Sequence, residues 1–159
     1  MYFFNNEINN TENIPKNETE LEHINEILKG EFAAIEAYRK VEEKIKTNPE
    51  AYRLNQFKRD HENATVYWQM QAKNIGIKPE RNSLSWGTFV SVIIQATKVF
   101  GDKTALWSLK QGEVHGLNQY KKMLLSKELQ DKQKEMIRKI FIPRQKRHIS
   151  CLEALLRLP

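Results

Sequence analysis

Four residues in this chain have the types and the placement to do chemistry together: Glu31, His61, Glu113 and His148. Carboxylates and imidazoles are the side chains that hold divalent cations and exchange protons near neutral pH. At 100° per residue of helix, Glu31 falls within the arc defined by Ile27, Ile35 and Tyr38, so its carboxylate points with the apolar face. The same rotation places His61 between Phe57 and Trp68, Glu113 between Leu109 and Leu117, and His148 between Phe141 and Leu155. An isolated buried carboxylate is costly, so these groups need partners. Two carboxylates and two neutral imidazoles sum to a formal charge that one divalent cation neutralises, with iron, manganese or zinc as candidates. The competing reading is a metal-free network in which each histidine bonds a glutamate and fixes helix register.

Four long helices must position these groups. Thr19 with Glu22 forms a capping-box signature, and apolar residues recur at Ile24, Ile27, Leu28, Ile35, Tyr38 and Ile45, which predicts a helix over about Thr19 to Lys46. Asn48-Pro49 starts a second, through Leu54, Phe57, Ala64, Trp68 and Ala72 to Ile75, and Gly76 stops it. With only Thr47 and Asn48 between them, the two are antiparallel neighbours. A short apolar helix is expected at Ser85 to Phe100, then a helix from Asp102 through Leu125. After a turn at Ser126 the last helix runs to about Leu156, with Pro143 expected to kink it.

Two hairpins joined by one long crossover describe an all-α, antiparallel four-helix bundle with a short fifth helix in the link. Heights can be compared as well. Glu31 lies 15 residues before Lys46 and His61 12 after Pro49, so both reach a similar level. Glu113 and His148 lie 13 before and 22 after Ser126, and meet only if the turn extends toward Gln130 or the helix is distorted at Pro143.

Several motifs carry a family resemblance. The run Leu28 to Tyr38, with Glu31 and Glu36, resembles the first helix of bacterioferritin-type proteins, in which such a glutamate is an iron ligand. Asp60-His61-Glu62, Gly112 to Leu117 and Pro143 to Ile149 resemble a bacterial branch of the ferritin-like superfamily classed as a domain of unknown function. The resemblance implies a ferritin-like bundle, metal handling or a part in oxidative stress, and allows a homo-oligomer. In di-iron members the second and last helices carry Glu-x-x-His, whereas Lys58 and Gln145 precede His61 and His148 here. With both bridging carboxylates missing, a di-iron site is not expected and a single ion fits better. Glu36 and His115 lie about 140° and 160° from the inward residues on ideal helices and are expected to face the crossover or solvent.

Composition narrows the function classes. The chain has 159 residues, 40% hydrophobic and 29% charged, which suits one helical domain: a mobile arm over 1–18 and a bundle over 19–157. The arm lacks the basic start and cleavage site of a secretory signal. No apolar run approaches the ~20 residues of a membrane span. Cys151 is the only cysteine, which excludes a disulfide framework and makes a cytoplasmic location the expectation. Net charge is +6, but Met1–Gly30 holds six Glu against two Lys, and Lys127–His148 eight basic residues against three acidic. An acidic helix beside a basic one accounts for this by mutual attraction, so nucleic acid is not the expected partner. The basic last helix or the crossover could instead recruit a protein. Trp68, Trp86 and Trp107 are expected to fill core. No phosphate loop or nucleophile elbow is present.

Overall fold

The computed structural model describes residues 16–43, 49–76 and 102–158, and these are helical throughout apart from short turns. Helix α1 is Lys16–Glu42, α2 is Pro49–Asn74 and α3 is Asp102–Met123. The last rod has three parts: α4 (Asp131–Met136), a π-helical turn (Ile137–Phe141) and α5 (Ile142–Leu156). Helix α1 begins three residues before the predicted capping box, so Thr19 lies inside it and residues 16–18 belong to the helix rather than to the arm. Gly76 follows α2 with φ of 80°, the left-handed conformation that ends a helix without a Cβ clash. The arm up to residue 15, the link between α1 and α2, and the short helix expected at Ser85–Phe100 lie outside the described residues.

Each rod packs on two neighbours. Helix α1 lies mainly on α2, α3 mainly on α5, and the ring closes through α1 with α3 and α2 with α5. Buried apolar side chains separate into two clusters. One contains Tyr38, Leu54, Phe57, Leu109, Leu152 and Leu155, and the other contains Ile24, Ile27, Trp68, Tyr120, Ile137 and Phe141. Reading each rod from one cluster to the other gives its direction: α1 and α5 run one way, α2 and α3 the other. Parallel α2 and α3 are the signature of a single long crossover.

Acidic α1 and basic α5 therefore occupy opposite corners, and their expected mutual attraction is not the pairing that forms. The charge across the α2–α5 seam is matched instead by Asp60, with Arg147 at 2.7 Å and Arg144 at 3.7 Å. Trp68 fills core at 0% exposure, but Trp107 is 54% exposed and does not, because its position on α3 falls outside the apolar arc. Among the described residues no helix is long and apolar enough to cross a membrane.

The π turn has an identifiable cause. Pro143 has no N–H, and in a regular helix its ring would crowd the carbonyl of Lys139. Widening the preceding turn, with Ile142 N–H donating to Ile137 C=O, relieves that crowding without breaking the rod. The turn between α3 and α4 also extends to Gln130, so each of the two alternative adjustments that could bring His148 to the height of Glu113 is present.

Candidate metal centre

The polar residues sit in the layer between the two apolar clusters. On α1, Glu31 lies between Leu28 and Tyr38; on α2, His61 lies between Phe57 and Ala64; on α3, Glu113 lies between Leu109 and Tyr120. On the last rod Gln145 and His148 lie between Phe141 and Leu152. All four expected residues are buried, from 1% exposure at His148 to 4% at Glu31 and His61.

They meet through a chain of alternating carboxylates and imidazoles. His61 Nδ1 is 2.6 Å from Glu31 Oε2, and His61 Nε2 is 3.0 Å from Glu113 Oε1. His148 Nδ1 lies 3.1 Å from the same Glu113 oxygen, and its Nε2 lies 3.0 Å from Asp60 Oδ2. Tyr38 donates its hydroxyl to Glu113 Oε1, and Tyr120 donates to Glu31 Oε1 while accepting from Trp68 Nε1 at 3.1 Å. Phe57 stacks on the His148 ring at 4.1 Å and fixes its plane.

The four do not form one equal set. Donor atoms of His61, Glu113 and His148 lie within 4.8 Å of one another, and among the described residues no other group of three or more does so. Glu31 stands on the far side of His61, at the ring nitrogen turned away from Glu113. Glu113 Oε2 is buried and has no hydrogen-bond partner. Lys58 turns away and pairs with Glu42 of α1. Glu36 is half-buried and pairs with Arg39 on the helix surface, and His115 is exposed, so neither joins the cluster.

Asp60 is the functional candidate that inward-facing arcs miss. It sits one residue before His61, so about 100° around α2, which aims it at the seam with α5 rather than at the bundle axis. The signal available in the sequence was its charge opposite Arg144 and Arg147. The tyrosines were legible only as apolar positions, although their hydroxyls bond the two glutamates.

Electrostatics lock the cluster. Burial alone would lower the His61 pKa, but the Glu113 and Glu31 carboxylates outweigh it and push the imidazole up to about 10. Burial would raise Glu113, and the His61 and His148 rings outweigh that too, holding its carboxyl down at about 2. Burial, with Glu113 adjacent, pushes the Tyr38 phenol well above the usual range, so it stays a donor. The raised His61 pKa stabilises the fold fully below its unfolded value of ~6.5, and this is lost as pH rises through about 10. The depressed Glu113 pKa contributes above its unfolded value of ~4.3 and is lost as pH falls through about 2. Urea midpoints of metal-free protein are therefore expected to be highest at about pH 4.5–6.5 and to fall on both sides. A midpoint that is flat from pH 3 to 9 would show that this pair does not support the fold.

Residues 19–126 match the sequence profile of Domain of unknown function (DUF2383). Comparison with curated proteins gives no significant match. Among solved structures, the chain is similar to a crystal structure of ferritin like, diiron-carboxylate proteins from Bacillus anthracis str. Ames. The TM-score is 0.66 at 19% identity, covering 90% of this chain and 99% of that one, a likeness that carries the fold.

Proposed function

We propose, from the premise that this chain belongs to the DUF2383 family and has a ferritin-like fold, that it binds one divalent metal ion in the bundle core. The observation that carries this reading is the convergence of His61, Glu113 and His148 from three helices to within 4.8 Å. That span suits one ion bonded at ~2.0–2.2 Å once the side chains close slightly on it.

The outer nitrogens support the same reading. His61 Nδ1 faces Glu31 and His148 Nε2 faces Asp60, so each imidazole that presents one nitrogen to Glu113 has its other nitrogen held by a carboxylate. Carboxylates behind metal-binding histidines fix ring orientation and raise ligand basicity. Glu31, expected as a fourth ligand, enters the proposal in this supporting role. Arg144 and Arg147 in turn hold Asp60.

The solved structure similar in fold is of diiron-carboxylate proteins, but the donors here do not fit two irons. Lys58 is committed to Glu42, and Gln145 is neutral. With Asp60 already paired to Arg144 and Arg147, that leaves Glu31 and Glu113 against four positive charges. Bound at this centre, iron, manganese or zinc would supply Lewis acidity, and iron or manganese redox capacity as well. The chain's own residues hold and orient it, exclude water and surrender the His61 proton on uptake. Metal handling is the function this supports.

Metal-free protein prepared without an affinity tag is expected to take up one equivalent of one of these ions and to melt at a higher temperature with it. Mass-spectrometric metal analysis alongside a thermal melt measures both. Uptake of two equivalents, or none with each ion, overturns the proposal.

A second reading has its own support: all four imidazole nitrogens already have carboxylate partners. On that reading the cluster is a register-fixing network in a scaffold protein, whose basic last helix recruits a partner. A Glu31→Ala, His148→Ala double variant separates the two. It alters stability on either reading, but removes metal uptake only on the first.

A further inference from the structure

Two cavities border the polar layer, and Gln145 lines both. The larger lies between α1 and α3 and encloses about 530 Å³ with its mouth included. Exposed His115 and buried Glu31, His61 and Glu113 all line it, so it runs from the surface to the centre. The smaller, about 190 Å³ on the same terms, lies toward the α2–α5 seam at Asp60, Arg144 and His148.

Charge distinguishes the two openings. The chain holds 26 Lys and Arg, yet none lines the larger cavity, which carries Glu31 and Glu113 instead. At the smaller one Arg144 is a wall residue, and Arg147, 61% exposed, pairs with Asp60 beside it. A dication approaching that seam meets two guanidinium charges, whereas the α1–α3 side presents no guanidinium or ammonium group.

Gln145 itself is loosely held. It is 5% exposed, and its Oε1 has no hydrogen-bond partner. Its Nε2 sits 3.0 Å from where a Cβ on residue 116 would stand, room that exists because that residue is glycine. With no hydrogen bond to break at its oxygen and a cavity on either side, the side chain is free to turn.

We propose, resting on the single-ion reading above, that the α1–α3 cavity is the path by which a divalent cation reaches the centre, and that Gln145 is its gate, swinging toward the α2–α5 side to admit the ion. Gln145 is then neither a ligand nor a pin for the fold, and its removal opens the path. A gate or a constriction on the path changes entry and exit by the same factor, because it alters the barrier and leaves the free and bound states as they were.

Stopped-flow kinetics on metal-free, full-length protein tests this. Uptake is followed for whichever of zinc, manganese or iron(II) titrates to one equivalent, and release is followed into excess chelator. Gln145→Ala is expected to speed uptake and release each by at least about threefold, with the dissociation constant unchanged within about twofold. Ala34→Leu, which adds bulk to the wall without altering any proposed ligand, is expected to slow both by at least about fivefold, again at constant affinity. Circular dichroism at the assay temperature confirms that both variants keep the helical fold. Wild-type rates in either variant overturn the proposal, as does a changed dissociation constant in Gln145→Ala, which would make the amide a ligand. Wild-type protein that takes up no ion overturns the single-ion reading and this one with it, whereas wild-type uptake with unaltered variant rates overturns the gate alone.

Discussion

His148→Ala is expected to lower divalent-metal affinity by more than about 100-fold. Loss of an outer carboxylate behind a metal-binding histidine typically costs about 10- to 100-fold, and loss of the ligand itself exceeds that. On the proposed reading His148 is itself a ligand: its Nδ1 shares Glu113 Oε1 with His61, and Phe57 and Asp60 hold the ring from behind. The truncation also leaves a hole at a residue 1% exposed, so the variant melts earlier. Asp60→Asn provides the graded control. It keeps shape and most packing, and its affinity should fall within the 10- to 100-fold range. Competition against a chelator of known affinity, at a temperature where both variants are folded, gives the numbers. Wild-type affinity in His148→Ala would place the ion elsewhere.

Glu113→Ala is expected to destabilise the metal-free protein by about 3–5 kcal/mol, the usual consequence of removing one partner from a buried charge pair. Three groups converge on Glu113 Oε1: the Tyr38 hydroxyl, His61 Nε2 and His148 Nδ1. Without the carboxylate all three face an apolar interior, and His61 keeps only Glu31. Glu113→Gln retains an acceptor and the volume, so it should lose distinctly less. Urea unfolding at pH 6, where the His61–Glu113 pair contributes fully, measures both. A loss below about 1 kcal/mol in Glu113→Ala would mean that the apolar clusters carry the fold without the polar layer.

The architecture was legible because it depends on repeated, redundant signals. Many residues such as Ile24, Ile27, Leu54, Phe57, Leu109 and Leu152 vote for each helical face, and no single exception overturns the pattern. Inward polar residues are legible in the same way, as breaks in an apolar stripe, and Glu31, His61, Glu113 and His148 all follow it into the core. What such periodicity cannot give is which atoms meet. It measures angle about one axis, whereas contact depends on relative height and on the seams between rods. Glu31 shares the layer but stands behind His61, and Asp60 reaches His148 across a seam. Trp107 shows the opposite failure, a large apolar side chain whose angle sends it to solvent.

The widened turn at Ile137–Phe141 has a consequence for how this chain tolerates change in length. A wide turn absorbs one residue more than regular winding over the same rise, so identical residues wound regularly would swing Gln145 and His148 around by about 100°. Dropping one residue inside the turn would keep the flanking faces aligned but bring the Pro143 ring back against the carbonyl four residues before it, while dropping one from Arg144 to Arg147 would carry His148 off the bundle axis. A single-residue deletion inside the turn preserves the aim of the imidazole only where Pro143 is replaced as well, and the imidazole downstream owes that aim to the spare residue.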